Sequence, residues 1–129
     1  MKLSQAELDT MMYLWECEEP IRPAILLKTM EKTHDWSIST LKTILTRLEE
    51  KGVVSSLARK RFFYYFPSIT KNEYFSMEAQ DLVNKMNASS PLPIMIGLMN
   101  SDSITENDLD EIEKMLAETK KRLKTQNKR

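Results

Sequence analysis

Hydrophobic residues recur at helical spacing in residues 37–50, and the rest of the chain is organised around this stretch. One face is apolar at i, i+3, i+4 and i+7, which predicts a helix with a buried side. The opposite face carries short hydroxyls and one lysine, and its acids come only at Glu49 and Glu50. Such a face suits a helix in a DNA major groove, and it equally suits an ordinary threonine-rich surface. The apolar positions are Leu41, Ile44, Leu45 and Leu48, and the outer positions are Ser39, Lys42, Thr43 and Thr46.

Two helices are predicted ahead of this stretch. Ser4 and Glu7 have the spacing of a capping box, which begins the first helix. Pro23 suits the first turn of the second helix, where its missing N–H has no partner to lose. Ser37 is expected to cap the third helix, and Gly52 to end it in a left-handed conformation. The predicted buried residues are Leu8, Met11, Met12 and Trp15 on the first helix and Ala24, Leu27 and Met30 on the second.

After Gly52 the pattern changes to that of β-strands. Residues 53–57 and 62–66 are rich in β-branched and aromatic side chains, and Pro67 ends the second run. Between them lies a basic tip at residues 58–61. Three helices followed by such a hairpin make a winged helix-turn-helix, in which the hairpin is the wing. The predicted fold class is therefore mainly α with a small β-hairpin wing.

The C-terminal part of the chain predicts three more helices. Residues 92–99 are apolar at almost every position, which predicts burial on all sides, and a partner subunit is the natural cover. We therefore predict a winged-helix DNA-binding domain at residues 1–69 and a helical dimerisation domain at residues 70–129. The helix that follows Thr70 has a predicted buried stripe at Phe75, Ala79, Leu82 and Met86. The expected dimerisation residues are Phe75, Leu82, Leu92, Ile96, Met99, Leu109, Ile112 and Leu116.

Charge is unevenly distributed, although the 129 residues carry 19 basic and 19 acidic side chains and are neutral overall. Residues 1–36 hold four basic residues against seven acidic ones, whereas residues 37–66 hold six against two. The second segment contains the third helix and the hairpin. A positive footprint therefore coincides with the elements that are predicted to read DNA.

Other chemistry is sparse in this sequence. The single cysteine, Cys17, excludes an intramolecular disulfide and, with no leader peptide recognised, fits a cytoplasmic protein. No apolar run approaches the ~20 residues of a membrane helix, so no membrane partner is expected. The single histidine, His34, argues against a catalytic triad, and two glycines leave no phosphate-binding glycine loop. We expect no enzyme, cofactor or metal site, and interpret Cys17 as a helix-end hydrophobe and His34 as a turn residue.

Three segments carry a family resemblance: residues 3–8 with Leu14 and Trp15, residues 36–54, and residues 63–67. The second, which reads Trp-Ser-Ile-Ser-Thr-Leu-Lys-Thr-Ile-Leu-Thr-Arg-Leu-Glu-Glu-Lys-Gly-Val-Val, is long and specific. On these segments the chain resembles the penicillinase and methicillin-resistance repressors BlaI and MecI, relatives of the copper-responsive CopY repressors. The resemblance implies a homodimer whose winged helices read an inverted-repeat operator in double-stranded DNA and whose C-terminal helices pair.

The resemblance also implies contact residues and a further partner, an inducer or a protease that relieves repression. In the β-lactam-responsive members a protease cuts an Asn-Phe bond, and here Gly97 and Leu98 stand at that place, without the asparagine. No cysteine follows Thr105, which argues against the metal-binding tail of the CopY branch. The implied DNA contacts are Ser39, Thr40, Lys42, Thr43, Thr46 and Arg47 on the third helix and Arg59, Lys60 and Arg61 on the wing.

Two functions of different kinds are compatible with these features. The leading prediction is a DNA-binding repressor that occupies a promoter operator and excludes polymerase. The alternative is a winged-helix dimer that acts as a protein-interaction scaffold, with its basic wing against an acidic partner. On the first prediction, Lys42 and Arg47 can reach base edges or phosphates, and the threonines can contact phosphate or a thymine methyl group.

Overall fold

The computed structural model describes residues 2–87 and 89–127, which form six α-helices and two β-strands. The predicted fold class, mainly α with a small hairpin, is confirmed. The chain divides into two compact units, Met1–Leu82 and Val83–Arg129. The elements are α1 (Gln5–Leu14), α2 (Pro23–Met30), α3 (Ile38–Glu50), β1 (Val54–Arg59), β2 (Phe62–Pro67), α4 (Lys71–Lys85), α5 (Leu92–Met99) and α6 (Glu106–Asn127).

Helix α3 is at the centre of the first unit. The Thr40 backbone N–H donates to Ser37 Oγ at 3.1 Å, which is the predicted cap, and Gly52 has φ 79° at the far end. The predicted apolar face is confirmed as buried and packs with residues of α1, α2 and the start of the hairpin. The core consists of Met11, Leu14, Leu26, Met30, Leu41, Ile44, Leu45, Leu48, Val53 and Val54.

Helix α1 begins at the predicted capping box but buries a different face. The Glu7 N–H donates to Ser4 Oγ at 3.2 Å, and the Ser4 N–H donates to Glu7 Oε1 at 2.8 Å. The helix is turned so that Glu7 reaches Lys51 at the end of α3, with an Nζ–Oε1 distance of 2.8 Å. The predicted stripe is therefore wrong at Leu8, Met12 and Trp15, which are only partly buried. The buried residues are Glu7, Thr10, Met11 and Leu14.

Helix α2 starts at Pro23 as predicted, and its buried face is also shifted. Leu26 and Met30 are fully buried, whereas the predicted Ala24 is exposed and Leu27 only half-buried. The cause lies just before the helix, where Ile21 pairs with Tyr65 of β2 through backbone hydrogen bonds of 2.9 and 2.8 Å. This bridge fixes how the chain enters α2 and so which side of the helix meets the core.

The hairpin ends differ from the predicted ones. Strand β1 starts one residue later than expected, at Val54, and continues to Arg59, because its antiparallel pairing with β2 runs up to Arg59 opposite Phe62. The turn is therefore only Lys60 and Arg61. Lys60 has φ 58°, a left-handed conformation that glycine or asparagine normally supplies in a two-residue hairpin turn.

The first compact unit continues past the hairpin into α4. Tyr74 is buried, and the rings of Tyr74 and Phe75 lie 5.7 and 6.1 Å from the ring of Trp15. Trp15 also donates its indole N–H to the Ile69 carbonyl at 3.0 Å. The predicted division of roles after residue 69, with DNA binding before it and dimerisation after it, stays a prediction.

In the single chain, the predicted burial of the α4 stripe is not found. Phe75, Leu82 and Met86 expose between 41 and 61% of their surface, and Ala79 is exposed too. The residue of α4 that enters the core is Tyr74, one position before the predicted stripe. None of the residues of α5 and α6, all of them within the described part of the chain, is buried. These helices carry a large uncovered apolar surface.

Candidate nucleic-acid interface

The outer face of α3 is exposed along the length of the helix. Because the opposite face is fully packed, this surface is presented in one fixed orientation with respect to the first unit. All six residues predicted on this helix as DNA contacts are exposed on it, and their role as contacts stays a prediction. They are Ser39, Thr40, Lys42, Thr43, Thr46 and Arg47.

Two threonine hydroxyls on this face are already used inside the helix. Thr43 Oγ1 donates to the Ser39 carbonyl at 3.0 Å, and Thr46 Oγ1 donates to the Lys42 carbonyl at 2.9 Å. What these side chains can still offer a ligand is an acceptor oxygen and a methyl group. That chemistry matches a thymine methyl or a base amino group better than it matches a phosphate oxygen.

A groove of about 430 Å³ lies between α3, the start of α2 and the wing. It brings together three of the predicted contact residues, Lys42 and Thr46 of α3 and Arg61 of the wing. We call it the wing-side groove. Its other lining residues are Arg22, Pro23, Ala24, Ile38, Phe62, Phe63 and Tyr65.

A second groove, of about 350 Å³, borders the same face of α3 and also includes Ala6 of α1. Its residues include four predicted contacts: Ser39, Thr40, Thr43 and Arg47. The predicted α3 residues are thus divided between two grooves. Lys42 and Thr46 share a groove with the wing, whereas the other four share one with α1.

The remaining predicted contacts, Arg59 and Lys60, lie at the tip of the wing and are exposed. The Arg59 guanidinium carbon is 5.8 Å from the centroid of the Tyr64 ring, a weak cation–π contact that leaves its charge accessible. Neither residue belongs to the lining of the two grooves. The wing therefore presents two basic side chains outward and contributes a third, Arg61, to the wing-side groove.

One basic residue of the positive footprint serves the fold instead. Lys51 Nζ donates to Glu7 Oε1 at 2.8 Å and to the Lys2 carbonyl at 3.0 Å. Burial raises the pKa of Glu7, but the hydrogen bonds from Lys51 and Ser4 together outweigh this effect, so the pKa lies below the ordinary value of 4.5. Lys51 neutralises a buried carboxylate and is not available as a DNA contact.

The turn that precedes α3 is fixed by His34. Its Nε2 lies 2.9 Å from Asp9 Oδ2 and its Nδ1 lies 2.8 Å from Thr33 Oγ1, while its ring packs 4.5 Å from the ring of Trp36. The hydrogen bond from His34 lowers the pKa of Asp9. The predicted turn residue thus ties α1 to the segment that leads into α3, and gives α3 a defined starting point.

The other seven residues that line the wing-side groove were not predicted as contacts from the sequence. They include Arg22, Ile38 and Phe62. A partial signal was present for Ile38, because the sequence predicted its place in the first turn of α3, where its side chain is 37% exposed. Pro23 at the first position of α2 also located Arg22 at the helix start, but nothing local indicated that Phe62 of the wing lies next to it.

Other kinds of site gain no support from residues 2–87 and 89–127. No three His, Cys, Asp or Glu side chains among them come together as metal ligands. No helix that they form has the length and apolar character needed to cross a membrane. Burial raises the pKa of the half-buried Cys17 thiol, which makes it a poor nucleophile.

A three-helix unit whose third helix exposes Lys42 and Arg47 on its outer face, followed by a basic hairpin, defines a winged-helix DNA-binding protein. The chain belongs to the penicillinase repressor family, which it matches over residues 3–118. It is therefore a DNA-binding transcriptional repressor by class, and the family is not a class of enzymes.

Individual relatives agree with this assignment. The chain is 27% identical over 123 residues to the penicillinase repressor of Bacillus licheniformis, with 95% of each protein covered. It is 18% identical over 115 residues to the methicillin resistance regulatory protein MecI of Mammaliicoccus sciuri, covering 89% of this chain and 93% of that protein. The solved DNA-binding domain of the repressor BlaI is 34% identical, with a TM-score of 0.51 over 57% of this chain and 88% of that domain. The predicted family resemblance is confirmed.

Proposed function

We propose that this protein represses transcription in the cytoplasm as a homodimer bound to an inverted-repeat operator. One α3 helix from each protomer enters a major groove, and the basic wing contacts the adjacent phosphates of the DNA backbone. The observation that carries the proposal is the exposed α3 face, rigidly packed from behind and bordered by the wing-side groove. Occupying the promoter excludes polymerase, so binding alone is sufficient for repression.

Uncovered apolar surface on α4 to α6 supports the homodimer. Monomeric soluble proteins rarely leave so many large apolar side chains exposed on consecutive helices. A second copy of the chain is an occupant of matching chemistry, because apolar surfaces pair with each other in a symmetric interface. The proposed interface residues are Phe75, Leu82, Leu92, Ile96, Met99, Leu109, Ile112 and Leu116, each of them at least 36% exposed in the single chain.

The test of the proposal is fluorescence anisotropy with labelled duplexes, one from the promoter upstream of the protein's own gene and one of the same bases in shuffled order, across a salt series. Selective binding to the promoter with a steep salt dependence is expected, because phosphate contacts release counterions. Equal affinity for both duplexes would contradict operator recognition. No binding even at low salt would support the protein-interaction scaffold instead.

Replacing Lys42 with alanine is expected to reduce discrimination between promoter and shuffled DNA. Lys42 is exposed in the middle of the α3 face, where a base-edge contact is worth ~1–3 kcal/mol. The measurement is the ratio of the two dissociation constants for the wild type and the variant. Equal losses on both duplexes would assign Lys42 to phosphate and not to a base.

Replacing Arg59 with alanine is expected to weaken binding to both duplexes to the same extent. Arg59 lies at the wing tip with an accessible charge, so its partner is a phosphate, which carries no sequence information. The slope of log affinity against log salt concentration should fall by about 1 for each phosphate that the variant no longer neutralises. Lys114→Ala, at an exposed position on α6, is the matched control and should leave both the affinity and the slope unchanged.

A further inference from the structure

Arg22 stacks on an aromatic ring of the wing. Its guanidinium carbon lies 3.5 Å from the centroid of the Phe62 ring, which is close enough for face-to-face stacking and a cation–π interaction. Arg22 precedes the first turn of α2, whereas Phe62 opens the second strand of the wing. The contact thus joins the beginning of the helix-turn-helix to the wing.

The backbone on either side of this contact is fixed. Ile21, directly before Arg22, forms two backbone hydrogen bonds with Tyr65 of β2, and Phe62 is paired with Arg59 at the end of the hairpin. The main chain next to Arg22 and at Phe62 is therefore held in place by hydrogen bonds. Little conformational freedom remains to be lost when the arginine side chain binds a ligand.

Stacking leaves the binding edge of the guanidinium free. The five N–H donors of arginine lie in the plane of the group, whereas the Phe62 ring covers one of its faces. The ion pairs found among the described residues join His34 to Asp9, Lys51 to Glu7 and Lys114 to Glu111, and do not involve Arg22. Its charge and its donors are thus available to an anion.

Arg22 also shares the wing-side groove with two other cations, Lys42 of α3 and Arg61 of the wing. The guanidinium groups of Arg22 and Arg61, from two different elements around this groove, suit an oxyanion that carries charge on several oxygens, and Lys42 adds positive charge beside them while it contacts the base edge proposed above. Such an oxyanion is regularly spaced along the partner proposed for this face, the backbone of double-stranded DNA.

We propose that Arg22 binds a DNA backbone phosphate in the wing-side groove, together with Arg61, and that Phe62 positions Arg22 for this contact. The inference rests on the proposed function and deepens it, since it assigns a DNA contact to the start of α2 and couples that contact to the wing. Phe62 is a positioning residue, because it acts on DNA through Arg22.

The experiment uses the full-length protein and the same two duplexes, with Arg22→Ala, Arg22→Lys, Phe62→Leu and the double variant Arg22→Ala/Phe62→Leu. Arg22→Ala is expected to weaken binding about tenfold for each half-site on both duplexes and to lower the salt slope by about 1 for each phosphate released. Arg22→Lys should keep the slope and lose part of the affinity, because lysine keeps the charge without the planar group. Lys28→Ala, an exposed basic position on α2 outside the groove, is the matched control and should bind as the wild type does.

Phe62→Leu tests the positioning role. We expect it to weaken binding about threefold with an unchanged salt slope, because the charge is kept and only its placement is lost. The double variant should bind no more weakly than Arg22→Ala, since Phe62 has nothing to position once the arginine is gone. Independent, additive losses would overturn the coupling between the two residues.

Different binding results would contradict the Arg22 contact and the proposed function. Wild-type affinity and slope in a folded Arg22→Ala variant, as judged by circular dichroism, would overturn the Arg22 contact while the wild type still selects its promoter. A wild type that binds both duplexes equally would overturn operator recognition, yet the Arg22 slope change would still be read on either duplex. A wild type that binds no DNA would overturn both.

Discussion

Replacing Ile96 with aspartate is expected to convert the proposed dimer into a monomer. Ile96 is half exposed on α5, the helix that is apolar at almost every position. A carboxylate within the proposed apolar interface would have to be desolvated without a partner, which costs several kcal/mol. We expect the dimer dissociation constant to rise at least a hundredfold, or ~3 kcal/mol, as measured by sedimentation equilibrium over a range of concentrations.

The matched control is Asn107→Asp, which adds the same charge at an exposed polar position of α6. Asn107 precedes Leu109 by two residues and so lies on another side of the helix from the proposed seam. The control should sediment as the wild type does. An Ile96→Asp protein that remains a dimer of unchanged strength would locate the interface elsewhere. A monomer that also loses promoter affinity would connect assembly to repression, because each half-site would then be bound alone.

The second large effect is expected at Lys51. Changing it to methionine leaves the Glu7 carboxylate, which is almost fully buried, without its cation. A buried charge that loses its partner is strongly destabilising, and since Lys51 itself is partly exposed we expect a loss of ~2 kcal/mol in the free energy of unfolding at pH 7. Urea unfolding at a fixed protein concentration measures this difference.

The effect should depend on pH with a defined sign. In the wild type the pKa of Glu7 is held below 4.5, so the stabilisation is complete above that value and is lost as pH falls through the pKa of the folded state. The gap between wild type and variant should therefore narrow on acidification. Lys114→Met breaks the exposed pair with Glu111 and should cost less than about 0.5 kcal/mol at any pH. Equal losses at the two lysines would argue against a structural role for the buried pair.

Short sequence patterns predicted those features of the fold that depend on residues close to each other in the chain. The caps at Ser4 and Ser37, the left-handed Gly52 and the apolar face of α3 depend on residues within a few positions of each other, and all are found. The buried faces of α1 and α2 could not be predicted in this way. Their rotation is set by the Glu7–Lys51 ion pair and the Ile21–Tyr65 bridge, which join distant parts of the chain.

The candidate site likewise contains some residues that local sequence patterns predict and others that they do not. Lys42, Thr46 and Arg61 could be proposed from one helical face and one basic turn, and the structure brings these three residues together. Arg22 could not be proposed, because it lies in an acidic segment and its neighbour Phe62 belongs to the wing. A residue that acquires its role through a long-range contact leaves no periodic signal in the sequence.

Two opposing selections act on the position of Lys60, at the turn of the wing. Its left-handed backbone (φ 58°) favours glycine by about 1 kcal/mol or more over a residue with a side chain. Glycine would relax the hairpin and at the same time remove a positive charge from its tip. Variants of this protein selected only for thermal stability should therefore accumulate glycine or asparagine here and lose affinity for DNA, whereas selection for repression should retain the strained cation.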